Sequence, residues 1–173
     1  IVVGTTGWYE HLEELSRVCD EKQGTIFYAP NFSIGVNILF QVNKFLAEMM
    51  NDQEDYEPLI EEIHHPGKKD APSGTAAKLA ETLTNAVNRK NKWQTLEKGN
   101  QPELSPEEFP VYYAREEGAI GLHRVNYTSS IDELEIKHRA FNRRGFALGA
   151  VKAAEWVKGR QGVYTMEDLL GLK

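Results

Sequence analysis

The run from residue 59 to residue 76 constrains this chain more than any other stretch. Leu59, Ile60, Glu61, Glu62 and Ile63 form a strand-like segment that delivers His64 and His65 into a Pro66-Gly67 loop. That loop carries Lys68 and Lys69, and Pro72-Ser73-Gly74-Thr75 then opens an Ala- and Leu-rich helical stretch. Strand end, cationic loop and helix start therefore converge on one spot. Ser73 or Thr75 can cap the helix with a hydroxyl, and Gly74 lets a ligand approach the backbone closely. The free N–H groups of the first turn point outward, where they suit an anion. Lysines and imidazoles beside them add positive charge, so the expected ligand is a small molecule carrying at least one carboxylate or phosphate. His64 and His65 are adjacent on an extended backbone and project to opposite faces, so one faces the ligand while the other packs or hydrogen-bonds behind it.

Each of these parts has an ordinary structural explanation when taken alone. Small hydroxyl residues start many helices, and loop lysines are commonly just solvated. Density points to function: two histidines, two lysines and a helix start lie within a dozen positions. No metal is expected, because adjacent strand histidines cannot easily chelate one ion and the sequence has no Cys pair, H-x-x-x-H or H-E-x-x-H. His123 and His138 could join such a site only through the fold.

Composition narrows the class. The chain has 173 residues, 40% of them apolar, enough for one generous domain or parts of two. A net charge of −6 argues against a nucleic-acid partner and makes the cationic loop a local exception. The single cysteine, Cys19, excludes an intrachain disulfide, fits a reducing compartment and falls in a helical pattern where it packs. No apolar run is long enough to span a bilayer and no charged leader precedes an apolar signal core, so a cytoplasmic protein without membrane partners is expected.

Along the chain, Ile1-Val2-Val3 reads as a short buried strand entering a Gly4-Thr5-Thr6-Gly7 turn. Such a strand needs neighbours on both sides, so the sequence reads as beginning inside a domain. No G-x-G-x-x-G follows this strand. Residues 8–22 have helical periodicity, and 25–29 are strand formers, giving a βαβ-like pair with loops 4–7 and 29–32 at one edge. Residues 33–51 predict a long helix, apolar around much of its circumference and therefore largely buried between two parts of the molecule. Residues 52–57 read as an acidic, uncapped linker of low order. A strand at 58–64 and a helix at 74–89 follow. Residues 91–110, with Pro102, Pro106 and Pro110, read as an exposed loop. Runs at 111–115, 120–128 and 134–140 predict an antiparallel meander. With residues 58–64 it makes a mixed four-stranded sheet with helices on one side. Polar residues on both faces of 120–128 point to self-association. A last large helix begins near Arg143, and Thr165 with Asp168 predicts a capping box.

The pattern His64-His65-x-x-Lys68-x-Asp70-Ala71-Pro72-Ser73-Gly74-Thr75-Ala76 resembles the signature of the dihydrodipicolinate reductases, nicotinamide-dependent enzymes of the diaminopimelate route to lysine. Gly4-Thr5-Thr6-Gly7 resembles that family's turn beside the nicotinamide. Ala29-Pro30-Asn31-Phe32-Ser33-Ile34-Gly35-Val36-Asn37 resembles its crossing from cofactor domain to substrate domain. The likeness extends to Arg143 and Phe146-Ala147-x-Gly149-Ala150, so it covers essentially the whole chain. It implies an α/β plus α+β fold: the C-terminal part of a Rossmann-like dinucleotide-binding domain joined to a mixed four-stranded sheet domain. Residues 1–32 would belong to the cofactor domain, 33–142 to a substrate-binding and oligomerisation domain, and 143–173 to helices returning to the cofactor domain. The family's Gly-rich pyrophosphate motif would lie upstream of Ile1, and the family assembles as a homotetramer.

The resemblance implies NADPH- or NADH-dependent reduction of 4-hydroxytetrahydrodipicolinate or dihydrodipicolinate, a ring dicarboxylate. Such chemistry needs anion anchors, a proton source and a nicotinamide against the reduced carbon. By residue, His64 and Lys68 take the family's proton-transfer positions, though a charged Lys68 would serve as well electrostatically. His65, Ser73, Gly74, Thr75 and Arg143 take the substrate positions. Gly4, Thr5, Thr6, Ala29, Pro30, Asn31 and Phe32 take the nicotinamide side. The 173-residue chain by itself is expected to bind dinucleotide poorly and to be inactive. Two other classes stay open from sequence: a non-catalytic ligand-binding or oligomerisation domain, which would not need His64, and an aspartate or homoserine dehydrogenase, which would not explain the His-His to Thr-Ala pattern.

Overall fold

The computed structural model describes residues 1–101 and 103–172. In chain order its elements are β1 (Val2–Val3), a 3-10 turn (Tyr9–His11), α1 (Leu12–Glu21), β2 (Thr25–Tyr28), α2 (Ile34–Met50), β3 (Glu57–His64), α3 (Gly74–Ala86), β4 (Lys92–Glu97), β5 (Glu108–Arg115), β6 (Gly121–Thr128), β7 (Glu133–Ala140), α4 (Arg144–Trp156), β8 (Gly162–Tyr164) and α5 (Met166–Leu170). They fall into two units: Ile1–Asn37 with Arg143–Lys173, and Ile38–Asn142. Among the described residues no helix is long and apolar enough to cross a membrane.

The first unit is a small parallel sheet in the order β1-β2-β8. The β-branched and aromatic residues of 25–28 pair with β1 through Val2↔Phe27 and Val3↔Tyr28, which gives the expected βαβ pair. β8 is an addition, since three residues are too few for a periodic signal; it pairs in parallel with β2 through Ile26↔Val163. Phe27, Ala29, Phe32, Ala153 and Met166 form the core, and Cys19 is buried as its helical position requires. At Gly149, a Cβ would stand 1.7 Å from the Phe32 carbonyl oxygen, so α4 crosses that backbone at a distance only glycine permits. The Thr165 and Asp168 capping box is present.

The second unit is built on one sheet in the order β4-β5-β3-β6-β7. It has five strands where the sequence predicts four, because β4 lies inside the supposed 91–110 loop. Two of the prolines invoked against a strand there, Pro106 and Pro110, follow β4, and Pro110 precedes the β3 pairing that starts at Ile60↔Val111. Pro102 lies outside the described residues. The meander also differs. β3 inserts between β5, its parallel neighbour, and β6, its antiparallel one. Only β6 and β7 make the predicted hairpin pair. The turn between β5 and β6 therefore has to pass over the carboxyl end of β3, where the Glu116 amide donates to the His64 carbonyl at 2.8 Å.

Ile60, Leu79, Leu83, Val111, Val125 and Tyr127 form the core with one side of α2, including Leu46 and Ala47. α2 is not buried all round as its composition suggests. Ile38, Val42, Phe45 and Met49 recur along another stripe and are exposed, Phe45 by 65% and Met49 by 56%, because a helix lying on a sheet buries the stripe it turns toward that sheet. Residues 51–56 are ordered rather than a loose linker. Arg89 donates to the carbonyls of Met50, Asn51, Gln53 and Tyr56 at 2.6–3.1 Å, and Asn51 Oδ1 accepts from the Asn88 amide. The guanidinium thereby satisfies orphan carbonyls at the end of α2. α3 stops at Ala86 rather than 89, which releases Arg89 for that role, and Lys90 reaches the carbonyls of Pro106 and Glu108.

Two stability predictions follow from these contacts. Arg89→Ala should lower the unfolding free energy by about 2 kcal/mol in urea titrations, and Lys should rescue it only in part because an ammonium cannot fork across several carbonyls. Gly149→Ala should cost about 1–3 kcal/mol through overpacking against Phe32, read from the same titrations.

Candidate functional site

The register of the second sheet assembles the site. Glu62 and His64 lie two apart on β3 and so share a face. His123 of β6 is the register partner of Glu62, and Arg115 of β5 is the partner of His64. The chain then returns through the 65–73 loop, which contains a cis Ala71–Pro72 peptide, to the start of α3. Ser73 is the N-cap: its Oγ accepts from the Ala76 amide at 3.2 Å, so of the two capping hydroxyls the sequence offers, Ser73 takes the role.

Glu62 is the centre of this cluster and has no exposed surface. Its Oε2 accepts from the Ser73 amide at 3.0 Å and lies 3.6 Å from His64 Nδ1 and 3.7 Å from His123 Nε2. Its Oε1 lies 3.6 Å from Arg115 Nη1. Ser73 Oγ and His123 Nε2 are 3.0 Å apart, and the two imidazoles meet edge to face with centroids 5.0 Å apart. Burial acts to raise the Glu62 pKa, but His123, the Ser73 contacts and the His64 charge outweigh it and hold the carboxyl below the ordinary glutamate range. Burial pushes His64 down to about 4, reinforced by His123, Lys68 and Arg115 and opposed by Glu62. His64 is therefore a neutral imidazole at neutral pH, placed to accept a proton.

Arg115 also shapes the cationic loop. It donates from Nε to the Lys68 carbonyl at 3.1 Å and from Nη2 to the Asp70 carbonyl at 2.7 Å. Lys68 Nζ meets both Asp70 oxygens at 2.8 Å, and this hydrogen bond is the main cause of the lowered Asp70 pKa. The mouth of α3 is open: Gly74 is exposed, and no heavy atom lies within 4 Å of where a Cβ would stand. Ser73 precedes that open turn, and His64 and Ser73, only 8% and 3% exposed, belong to the polar cluster around Glu62 rather than to the apolar interior. A cavity of about 310 Å³ near Gly121 and Arg139 is bordered by Ile63, not by His64 or Ser73.

The fold brings His64, Lys68, Ser73, Gly74 and Thr75 into one region. His65 is half-buried and turns its ring toward Gly67, where an added Cβ would meet Nδ1 at 3.2 Å. Arg143 belongs to the first unit, as the exposed residue before α4. So do the cofactor-side residues. Gly4, Thr5 and Thr6 are exposed at the carboxyl end of β1, and Pro30 is exposed and Asn31 half-buried at that of β2. Ala29 and Phe32 are core residues of that unit, and Phe32 lies against Gly4. Sequence reasoning missed Glu62, Arg115 and the part played by His123. Each stands on a strand whose neighbours become known only with the register. It also discounted a metal because His64 and His65 diverge, whereas the fold gathers donor atoms of Glu62, His64 and His123 within 4.8 Å. Arg115 already supplies positive charge to that carboxylate.

The unfolded chain protonates His64 near pH 6.5, but the folded chain does so only near 4. Between these values the unfolded state binds more protons, so His64 favours folding above about pH 6.5 and this contribution is lost as pH falls toward 4. Urea midpoints measured from pH 7 to 4.5 should fall less steeply for His64→Gln than for the unaltered chain.

A family model described as "Dihydrodipicolinate reductase, C-terminus" matches residues 35–170. A protein named 4-hydroxy-tetrahydrodipicolinate reductase from Christiangramia forsetii is 45% identical over 98% of this chain and 69% of its own length. One of the same name from Aquifex aeolicus is 41% identical over 99% of this chain and 64% of its own length. The fold is that of a dipicolinate-bound dihydrodipicolinate reductase from Paenisporosarcina sp. TG-14, with a TM-score of 0.69 and 24% identity, covering 95% of this chain and 62% of that one. Spanning some two thirds of the length of such relatives, the chain belongs to the dihydrodipicolinate reductase family.

Proposed function

We propose that this chain supplies the substrate pocket and part of the nicotinamide site of an NAD(P)H-dependent reductase acting on 4-hydroxytetrahydrodipicolinate or dihydrodipicolinate. The observation that carries the reading is the open first turn of α3 beside Gly74, joined through Ser73 and Glu62 to His64. One substrate carboxylate docks at the first turn of α3 around Ser73, Gly74 and Thr75, where the positive end of the helix dipole favours an anion. Lys68 and His65 border the same ligand. A dicarboxylate entering beside Lys68 and His64 brings negative charge, which raises the imidazole's proton affinity from its low resting value. His64 then takes up a proton and passes it to the ring, while Lys68 offsets charge developing there. Arg143 is assigned to the substrate by resemblance alone.

The residues of the first unit fit the nicotinamide end of a dinucleotide. Exposed backbone and hydroxyls of Gly4, Thr5 and Thr6 stand at the carboxyl end of β1, next to the loop at the end of β2, the edge where open parallel sheets hold ligands. When bound, the cofactor supplies the hydride. Residues 1–32 are assigned to that cofactor domain, residues 33–142 to substrate binding and self-association as a tetramer, and 143–173 to the cofactor domain again.

Titration of the chain with 2,6-pyridinedicarboxylate, a planar ring diacid, tests the pocket. Binding should weaken at least about tenfold in Lys68→Ala and in Thr75→Val. In a full-length reductase of the family carrying these residues, His64→Gln should lower kcat by about 10²–10⁴-fold with dihydrodipicolinate. Unchanged kcat would mark a non-catalytic binding module, and turnover of aspartate semialdehyde instead would mark a different dehydrogenase.

A further inference from the structure

His64 has two ring nitrogens in different surroundings. Nδ1 is buried and lies 3.6 Å from Glu62 Oε2, with no hydrogen-bond partner closer. Nε2 lies on the Gly121 side, where an added Cβ would stand 3.3 Å from it. Gly121 has no positive φ among those recorded for the chain's glycines, so backbone conformation does not require glycine there. A Cβ there would press on the imidazole, which would have to give by a few tenths of an ångström.

We infer that Glu62 is the positioning residue of this site: its carboxylate draws the Nδ1 edge of His64 inward and leaves Nε2, beside the side-chain-free Gly121, as the nitrogen that exchanges protons. The inference rests on the reductase reading for what Nε2 exchanges its proton with, but not for the orientation itself. A carboxylate facing one edge of a neutral imidazole favours the tautomer carrying its proton there, which frees the other nitrogen's lone pair. When Nε2 takes a proton, the Nδ1–H stays directed at Glu62 and the imidazolium is stabilised by the same carboxylate, without Glu62 itself taking the proton. The long 3.6 Å separation fits a contact that tightens once the ring is charged.

Glu62 also ties this orientation to the anion site. The oxygen that faces His64 is the one that accepts from the Ser73 amide at the start of α3. One carboxylate thus fixes both the substrate's expected anchor and the proton-exchanging ring. The other charged or titratable groups that bear on His64 are His123 of β6, Arg115 of β5, and Lys68 and Asp70 of the following loop, with His138 of β7 the register partner of His123 across the sheet. Of the two carboxylates, Glu62 is the one within 4 Å of the His64 Nδ1 edge, while Asp70 is engaged by Lys68, so removing Glu62 should change the tautomer in a way that loss of any cation would not.

The test reads the tautomer directly. In ¹⁵N-labelled 173-residue chain at pH 7, long-range proton–nitrogen correlation of the His64 ring should show the proton on Nδ1. Glu62→Gln, which can still accept from the Ser73 amide, should shift at least about a third of the population to the Nε2–H tautomer with an unchanged far-ultraviolet spectrum. A predominantly Nε2–H ring in the unaltered chain, or a folded Glu62→Gln variant with an unmoved tautomer ratio, would overturn the inference. Should Glu62→Gln not fold, the unaltered chain decides on its own, and Gly121→Ala supplies the second arm by displacing the Nε2 resonance while leaving Nδ1 in place; an Nε2 signal indifferent to that methyl also overturns it. In such a full-length reductase, Glu62→Gln should cut kcat about 10²-fold and move its acid limb, with KM changing less than threefold. A KM effect alone would reduce Glu62 to a scaffold for Ser73 and refute the positioning role. Failure of 2,6-pyridinedicarboxylate to bind, with the Nδ1–H tautomer present, would instead sink the reductase reading and spare the orientation.

Discussion

A carboxylate with no exposed surface sits in the middle strand of a five-stranded sheet, and donors and positive charge from several elements of the second unit converge on it. Taking an ionised glutamate out of water costs several kcal/mol unless donors and positive charge replace the solvent. For Glu62 the replacements come from separate parts of the chain: the Ser73 amide from the start of α3, Arg115 from β5, and the His64 and His123 rings from β3 and β6. None of these is a local contact except His64. The group therefore cannot gain these partners until the sheet and the helix have met, which makes the cluster a consequence of completed folding.

The central position of β3 has a second effect. Because β5 runs parallel to it and β6 antiparallel, the connection between those two must cross its carboxyl end, and the Glu116 amide closes on the His64 carbonyl as it does so. Gly121, at the foot of that crossing, leaves room beside the His64 ring. The last residue of the middle strand is thus held on both its backbone and its side chain, and Glu62 Oε2 faces both its ring and the Ser73 amide at the start of α3. A side chain at a strand end held in this way has little freedom in its placement, which a loop residue would have.

Much of the architecture was legible from local signals. The strands at 25–28, 57–64, 121–128 and 133–140, the helices at 12–21, 34–50 and 144–156, the Ser73 cap and the Thr165 capping box all announce themselves by periodicity or by residue type at a fixed offset. The errors were of one kind. β4 was hidden because the prolines around it look like loop punctuation, and β8 because three residues carry no period. The meander failed because adjacency in sequence suggested adjacency in space, whereas β3 had already taken the place between β5 and β6. α2 was read as buried all round, since apolar content does not say which stripe a sheet will cover. Residues 52–57 looked loose because Arg89, which binds carbonyls of the 51–56 stretch, is far along the chain.

The sequence by itself determined that His64, Lys68, Ser73, Gly74 and Thr75 would meet in one strand–loop–helix junction, because a short loop and a helix cap leave the chain few ways to run between those points. It also carried the family pattern. Only the tertiary structure decided that Glu62 would lie beneath them, that His123 and Arg115 would stand opposite β3 residues, and that His64 would be a neutral imidazole instead of an ordinary histidine near pH 6.5. Those outcomes depend on strand register and on burial, and both arise from pairing between segments distant in sequence, about which local periodicity carries no information.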